Sequence, residues 1–187
     1  MNLVGGDLTL ILGTMFSGKT TYLLSELSKL SGICARILYI NSALDVRSKS
    51  AFSTHNPFLQ VNEIPRNLTM IKTANLMDVN ISDYDIVAID ESQFFPDLLE
   101  FVSYALKSNK CLLVAGLIAD SNGKKFGQIV ELVPICTDIV RLKAFCTECA
   151  KCGTFRVASH SKRISASLDK HDIGGVDKYT PVCRAHI

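Results

Sequence analysis

The sequence predicts an α/β fold: a parallel sheet flanked by helices, followed by a small C-terminal unit of different character. Three observations predict it. Short apolar runs recur at 8–12, 36–40, 85–90, 111–115 and 139–142, each suited to a strand buried on both faces. Two stretches between them carry leucines and valine at helical spacing: Leu23, Leu24, Leu27 and Leu30 in one, Leu98, Leu99, Val102 and Leu106 in the other. Strands that alternate with helices pair in parallel and are covered on both sides. From Ala144 the long periodic runs stop, and four of the seven cysteines gather there. A boundary near 143 therefore separates a unit at 1–143 from one at 144–187.

Each element has a local reason. The run at 8–12 ends at Gly13, and from Lys19 the period changes to that of a helix, with Gly32 as a stop signal. Residues 36–40 form the second strand. The stretch 41–65 is polar and rich in Ser, Thr, Asn and Pro, which reads as a long loop. The strand at 85–90 closes on two acids. Pro96 suits a first helical turn, and that helix runs to about Lys107. Strands at 111–115 and 139–142 complete the core.

Composition narrows the function. The 187 residues are 48% apolar and 20% charged, with a net charge of +2. That balance excludes a disordered chain and gives no basis for bulk binding of nucleic acid. The longest apolar run, 111–119, is about half a membrane span. Residues 1–7 lack the basic start and apolar core of a secretion leader. Cysteines in such a chain imply a reducing, cytoplasmic setting. Cys34, Cys111 and Cys136 sit singly in apolar surroundings and read as buried core thiols.

Gly13, Thr14, Met15, Phe16, Ser17, Gly18, Lys19 and Thr20 match G-x-x-x-x-G-K-[ST] in full, between a strand and a helix. Glycines let backbone N–H groups converge on phosphate oxygens, and the helix amino end adds positive potential. Lys19 would neutralise the outer phosphates of a nucleoside triphosphate, and Thr20 would bind Mg²⁺. Asp90, at the carboxyl end of a strand, supplies the second Mg²⁺ anchor. Glu91 has two open roles: activating water in an ATPase, or taking a proton from a substrate hydroxyl in a kinase. Phe94 and Phe95 are either a stacking platform for a flat ligand or core residues.

Cys146-x-x-Cys149 and Cys183-x-x-His186 are two chelating pairs. Three thiolates and one imidazole make a closed four-coordinate Zn²⁺ site, which is structural because no position is left for water. Such an ion would staple a tail too poor in core to fold alone. Cys149-x-x-Cys152 is a competing pair.

With these residues in place the chain resembles the cytosolic-type thymidine kinases of cells and large DNA viruses, over nearly its whole length. The carriers are the loop at 13–20, the run Asp90-Glu91-Ser92-Gln93-Phe94-Phe95-Pro96-Asp97, Asp45-x-Arg47, Thr54-His55, Lys124-x-Phe126-Gly127 and Leu132-Val133-Pro134. Ile173-Gly174-Gly175-Val176-Asp177-Lys178-Tyr179 and Val182-Cys183-Arg184 complete the set. The resemblance implies a P-loop, RecA-like core and a zinc-held lasso that folds over the nucleoside. ATP and Mg²⁺ would bind 13–20, with Thr21 beside it, Asp45 near the metal and Arg47 near the transferring phosphate. Glu91 would accept the proton of the thymidine 5′-hydroxyl. Met15, Phe94, Leu117, Phe126 and Tyr179 would line the nucleoside pocket, with backbone near Ile173 and Gly174 reading the base edge. A homotetramer and feedback inhibition by the end-product triphosphate, dTTP, are also implied.

The sequence departs from the family at Ser121, where a ring normally packs against the base, and at the polar run 170–173, with Asp172 near the base edge. Three other readings stay open: a related deoxynucleoside kinase of altered base preference, a P-loop ATPase with a zinc docking module, and a binding protein without turnover.

Overall fold

The computed structural model describes residues 5–32, 35–45, 65–165 and 178–187. Cys34, Arg47, Thr54, His55, Asp172, Ile173 and Gly174 lie outside the described residues, as does most of the stretch 41–65.

Six strands form one sheet: β1 (Leu8–Leu12), β2 (Ile37–Ser42), β3 (Leu68–Thr73), β4 (Ile86–Ile89), β5 (Cys111–Gly116) and β6 (Asp138–Arg141). Their order is β3-β2-β4-β5-β1-β6, and every pairing is parallel. Helices α1 (Lys19–Ser31) and α2 (Leu98–Lys107) pack on it. This is an α/β, P-loop-like fold.

The strand period of two splits the inner strands between two cores. Leu8, Leu10 and Leu12 of β1, Val87 and Ile89 of β4, and Leu112 and Val114 of β5 join Leu98, Phe101, Val102 and Ala105 of α2. Ile11, Ile37, Tyr39, Ala88, Leu113 and Ala115 join Leu23, Leu24 and Leu27 of α1. The continuous apolar runs are therefore strands covered on both faces, and their turned-over residues serve different helices.

Two strands differ from expectation. β3 gives no clear signal in the sequence, because none of its residues is fully buried at the sheet edge and polar residues interrupt its apolar ones. The opposite edge strand, β6, is mostly exposed and starts one residue early. Pro96 does not sit in the first turn of α2. A 3-10 turn at Ser92–Phe94 and an extended Phe95 precede it, and the helix begins at Leu98 behind Asp97. Proline disfavours helical backbone at the preceding residue, which keeps this entry open. Cys111 is buried, and burial first, then the charge of Asp7, pushes its thiol up to about 12. Cys136 is only partly buried against the first core.

After the sheet come α3 (Thr147–Lys151) and an antiparallel pair, β7 (His160–Arg163) with β8 (Tyr179–Val182). Among the described residues no helix is long and apolar enough to cross a membrane.

Phe101 is fully buried on the sheet-facing side of α2. Phe101→Ala should lower the unfolding free energy by about 3–5 kcal/mol in urea titrations; a loss below about 1 kcal/mol would show that this face of α2 is not packed.

Candidate active site and metal centre

The loop after β1 is shaped by close approach. A Cβ on Gly13 would strike the Ser17 hydroxyl and lie 2.9 Å from the Leu142 carbonyl oxygen. Phe16 and Gly18 turn the chain with φ of 61° and 85°. The amino end of α1 has no side-chain cap and no acid in its first turn, so its N–H groups and positive end remain for an anion. Lys19 is 8% exposed and folds back on the loop, donating from Nζ to the Thr14 carbonyl at 2.8 Å. The Thr14 and Ser17 hydroxyls are buried without a hydrogen-bond partner among the described residues. Buried hydroxyls are normally satisfied, so a lysine and two such groups around an anion-binding helix end fit a polyphosphate.

The strand order sets the second half of the site. β1 and β4 are separated only by β5, so their carboxyl ends lie about 10 Å apart. Asp90, at the end of β4, spans that gap. Its Oδ2 accepts hydrogen bonds from Thr20 Oγ1 at 2.8 Å and Tyr39 OH at 2.9 Å, and its Oδ1 accepts from the Glu91 N–H at 2.9 Å. Burial, then the charge of Glu91, raises its carboxyl to about 6 despite those donors. Burial and Asp90 push the Tyr39 phenol well up, which keeps it a donor. Thr20 and Asp90 are thus placed together as a candidate Mg²⁺ pair, with Thr21 half-buried in the next position of α1.

Glu91 adopts φ 50° and ψ 40°, the left-handed region, at an expense of about 1–2 kcal/mol for a residue with a Cβ. Such strain clusters at functional sites. Its Oε2 accepts a 2.6 Å hydrogen bond from Gln93 Nε2, and Gln93 Oε1 accepts the Leu117 N–H at 3.0 Å. Asp45 follows β2 at the same end of the sheet and is buried, with Asn41 Nδ2 donating to its Oδ2 at 3.3 Å.

A cavity of about 540 Å³ has a wall that includes Gln93, the hydrogen-bond partner of Glu91, with Phe94, Phe95, Asp120, Lys125 and Phe126. Phe94 and Phe126 meet edge to face at 5.6 Å. The two readings of the Phe pair are divided between its members: Phe95 is 1% exposed and belongs to the core, while Phe94 is half-buried at the cavity. Met15 and Leu117 are buried and Tyr179 is half-buried, all three outside that wall. Tyr179 is held by Arg163, whose Nη2 donates to its hydroxyl at 3.1 Å. The Met15 N–H donates to Ser161 Oγ at 3.0 Å, which ties the phosphate loop to β7. Tyr39 and Ser161 escape sequence reasoning, since nothing in an apolar strand or a polar tail marks a long-range partner.

The candidate metal-ligating set assembles. Donor atoms of Cys146, Cys149, Cys183 and His186 all lie within 4.8 Å of one another. His186 Nδ1 is 3.4, 3.6 and 3.5 Å from the sulfurs of Cys146, Cys149 and Cys183, and the Cys149 and Cys183 sulfurs are 3.7 Å apart. A tetrahedral ion with bonds of about 2.0–2.3 Å has edges of about 3.3–3.8 Å, so the cage fits. Cys152 is exposed at the end of α3 and is not part of this group. The thiols compete for protons. Burial would raise Cys146, but backbone N–H groups of Cys149 and Cys183 and the His186 ring outweigh it and lower it to about 6. Burial and the neighbouring thiols raise Cys149 to about 11. A cation held by this set would settle that competition by binding thiolates.

The raised carboxyl of Asp90 has a sign for stability. Between its ordinary value of 3.8 and about 6, the folded protein holds a proton that the unfolded chain has lost, so this group's contribution falls as pH rises through that window. In thermal melts of nucleotide-free protein, wild type should gain on Asp90→Asn as pH is lowered from about 7 to about 4. A gap that does not change with pH would show ordinary titration.

The comparisons with known proteins agree with this geometry. The family model described as "Thymidine kinase" matches residues 6–187. The chain is 38% identical to the cytosolic thymidine kinase of Bos taurus over 182 residues, covering 96% of this chain and 71% of that protein. It is 36% identical to the cytosolic thymidine kinase of Homo sapiens, with 96% and 72% covered. It is 33% identical to the thymidine kinase of Raccoon poxvirus, with 96% of each covered. A phosphate loop, a paired acid and a strained glutamate at one sheet end, together with a match along nearly the whole chain, place this protein in the thymidine kinase family.

Proposed function

We propose that the chain moves the terminal phosphoryl group of ATP to the 5′-hydroxyl of thymidine, with Glu91 as the base. One observation carries this reading: Glu91 follows Asp90 and donates its backbone N–H to the Asp90 carboxylate, whose other oxygen accepts from Thr20 at the start of α1, directly after the phosphate loop. Base and phosphate loop therefore share one end of the sheet, next to an aromatic-walled cavity.

Phosphoryl transfer needs mainly positioning and charge stabilisation. Residues 13–20 cradle the phosphates through backbone N–H groups, and Lys19 would swing from the Thr14 carbonyl to the outer phosphates. Thr20 and Asp90, with Asp45 nearby, would hold Mg²⁺, which supplies charge neutralisation of the polyphosphate. Glu91 accepts the hydroxyl proton as the new P–O bond forms and ADP leaves. Arg47 would act near the transferring group, and backbone near Ile173 and Gly174 on the base edge; both roles follow from family resemblance. Phe94 and Phe126 of the cavity wall would pack on the nucleoside; Met15, Leu117 and Tyr179, outside that wall, join them in the pocket by family resemblance alone. The Cys146, Cys149, Cys183 and His186 set would hold Zn²⁺, the ion that thiolate-rich tetrahedral sites favour. A division into a kinase unit at 1–143 and a metal-held lasso at 144–187, a homotetramer, dTTP feedback and a cytoplasmic location complete the reading.

A panel of deoxynucleosides with ATP and Mg²⁺ tests it: thymidine should yield one thymidine monophosphate per ADP. ADP release that ignores every nucleoside would favour the ATPase reading instead. Glu91→Gln should lower kcat by about 10²-fold or more while the ATP Kd stays within about threefold; unchanged turnover removes the base assignment. Metal analysis should find one zinc per chain. Chelation should raise the thymidine KM more than the ATP Kd, and protein purified without zinc yet fully active would end the structural-ion claim.

A further inference from the structure

Gln93 has both ends of its amide committed. Its carbonyl oxygen accepts the Leu117 N–H, and its NH₂ donates to the Glu91 carboxylate. A backbone N–H can only donate, so Leu117 fixes which way the amide faces. The reverse orientation would set NH₂ against N–H and oxygen against carboxylate, two repulsive contacts at once. The side chain is 4% exposed, so water competes little for these bonds and they hold more firmly than at the surface. A hydrogen bond to a charged acceptor, here 2.6 Å long, belongs to the strong class.

The residue is also seated by two close approaches. A Cβ on Gly116, the last residue of β5, would meet Gln93 Oε1 at 3.1 Å and collide with the Ser92 hydroxyl. One on Gly127, where φ is +67°, would lie 2.6 Å from the Gln93 carbonyl oxygen. Gln93 is thus held on two sides, its side-chain oxygen against the end of a sheet strand and its backbone against the turn that carries Phe126. Glu91 meanwhile sits in a strained backbone conformation that needs outside support to persist.

We infer that Gln93 is a positioning residue for phosphoryl transfer: its amide locks the Glu91 carboxylate to the Leu117 peptide, and so registers the base against the wall where the nucleoside binds. The inference rests on Glu91 being the base. Gln93 touches no reacting atom in this account; it acts through Glu91 alone.

The test is a double-mutant cycle on the full chain with thymidine, ATP and Mg²⁺. Gln93→Met keeps the shape and removes both hydrogen bonds. It should lower kcat by about 10²-fold, the effect of a misplacement of about 1 Å, with both KM values within about threefold. In a Glu91→Gln background the same change should alter kcat by less than about threefold, because the group it positions is gone. Gln93→Glu, which turns an acceptor toward the carboxylate, should give the same kcat-confined loss and serves if the Met variant does not fold.

A folded variant with wild-type kcat overturns the inference. So does a loss of equal factor in both backgrounds, or a loss confined to KM. If neither variant folds, the amide is a structural fixture and the inference falls. Wild-type turnover by Glu91→Gln would remove the base reading and this inference together; a slow Glu91→Gln with multiplicative losses would remove only the inference.

Discussion

The hydrogen bond from Thr20 to Asp90 joins two chain segments that the sheet keeps one strand apart. Thr20 belongs to the first turn of the helix that leaves the phosphate loop, and Asp90 to the end of β4. Because β5 lies between β1 and β4, only side chains that reach across its end can connect them. That reach brings a glycine-rich anion cradle and a pair of acids to one face of the molecule. Every other feature of the site is arranged around this link: Tyr39 supports Asp90 from below the strand end, and Glu91 follows Asp90 directly.

The link exists because the sheet is buried on both sides. A strand covered on two faces cannot place a charge in its middle without a large desolvation penalty, so the acids collect where the strand ends. Asp90 still bears part of that penalty, as its raised carboxyl shows. Three hydrogen-bond donors hold it in place without fully offsetting burial. A cation between Thr20 and Asp90 would complete the compensation. The left-handed turn at Glu91 then breaks the strand direction, and the next carboxylate accepts its hydrogen bond from Gln93, a residue of the cavity wall.

The tail follows a different economy. Among the described residues its apolar core consists of Cys146, Cys149, Val182 and Cys183, a small cluster for burial alone to hold. An ion held by the Cys146, Cys149, Cys183 and His186 cage would take the place of a larger core. The hydrogen bond between Met15 and Ser161 carries the consequence to the phosphate loop, since β7 pairs with β8 and β8 leads straight into Cys183.

The five apolar strands, both long helices, the glycine-rich loop between β1 and α1 and the grouping of Cys146, Cys149, Cys183 and His186 were legible in the residues, because each is marked by spacing within a few positions of the chain. A glycine-lysine loop between strand and helix, or two cysteines three apart, carries its chemistry in its own spacing. The edge strand β3 was not legible, since half-burial leaves no apolar run to read. The contacts that turn these parts into a site were decided by tertiary structure alone. Gln93 meets Leu117 across 24 positions, Tyr39 meets Asp90 across 51, and Met15 meets Ser161 across 146. Hydrophobic alternation tells which residues of a strand face inward, but not which strand lies beside which. Strand order settles that, and with it which polar side chains share the end of the sheet.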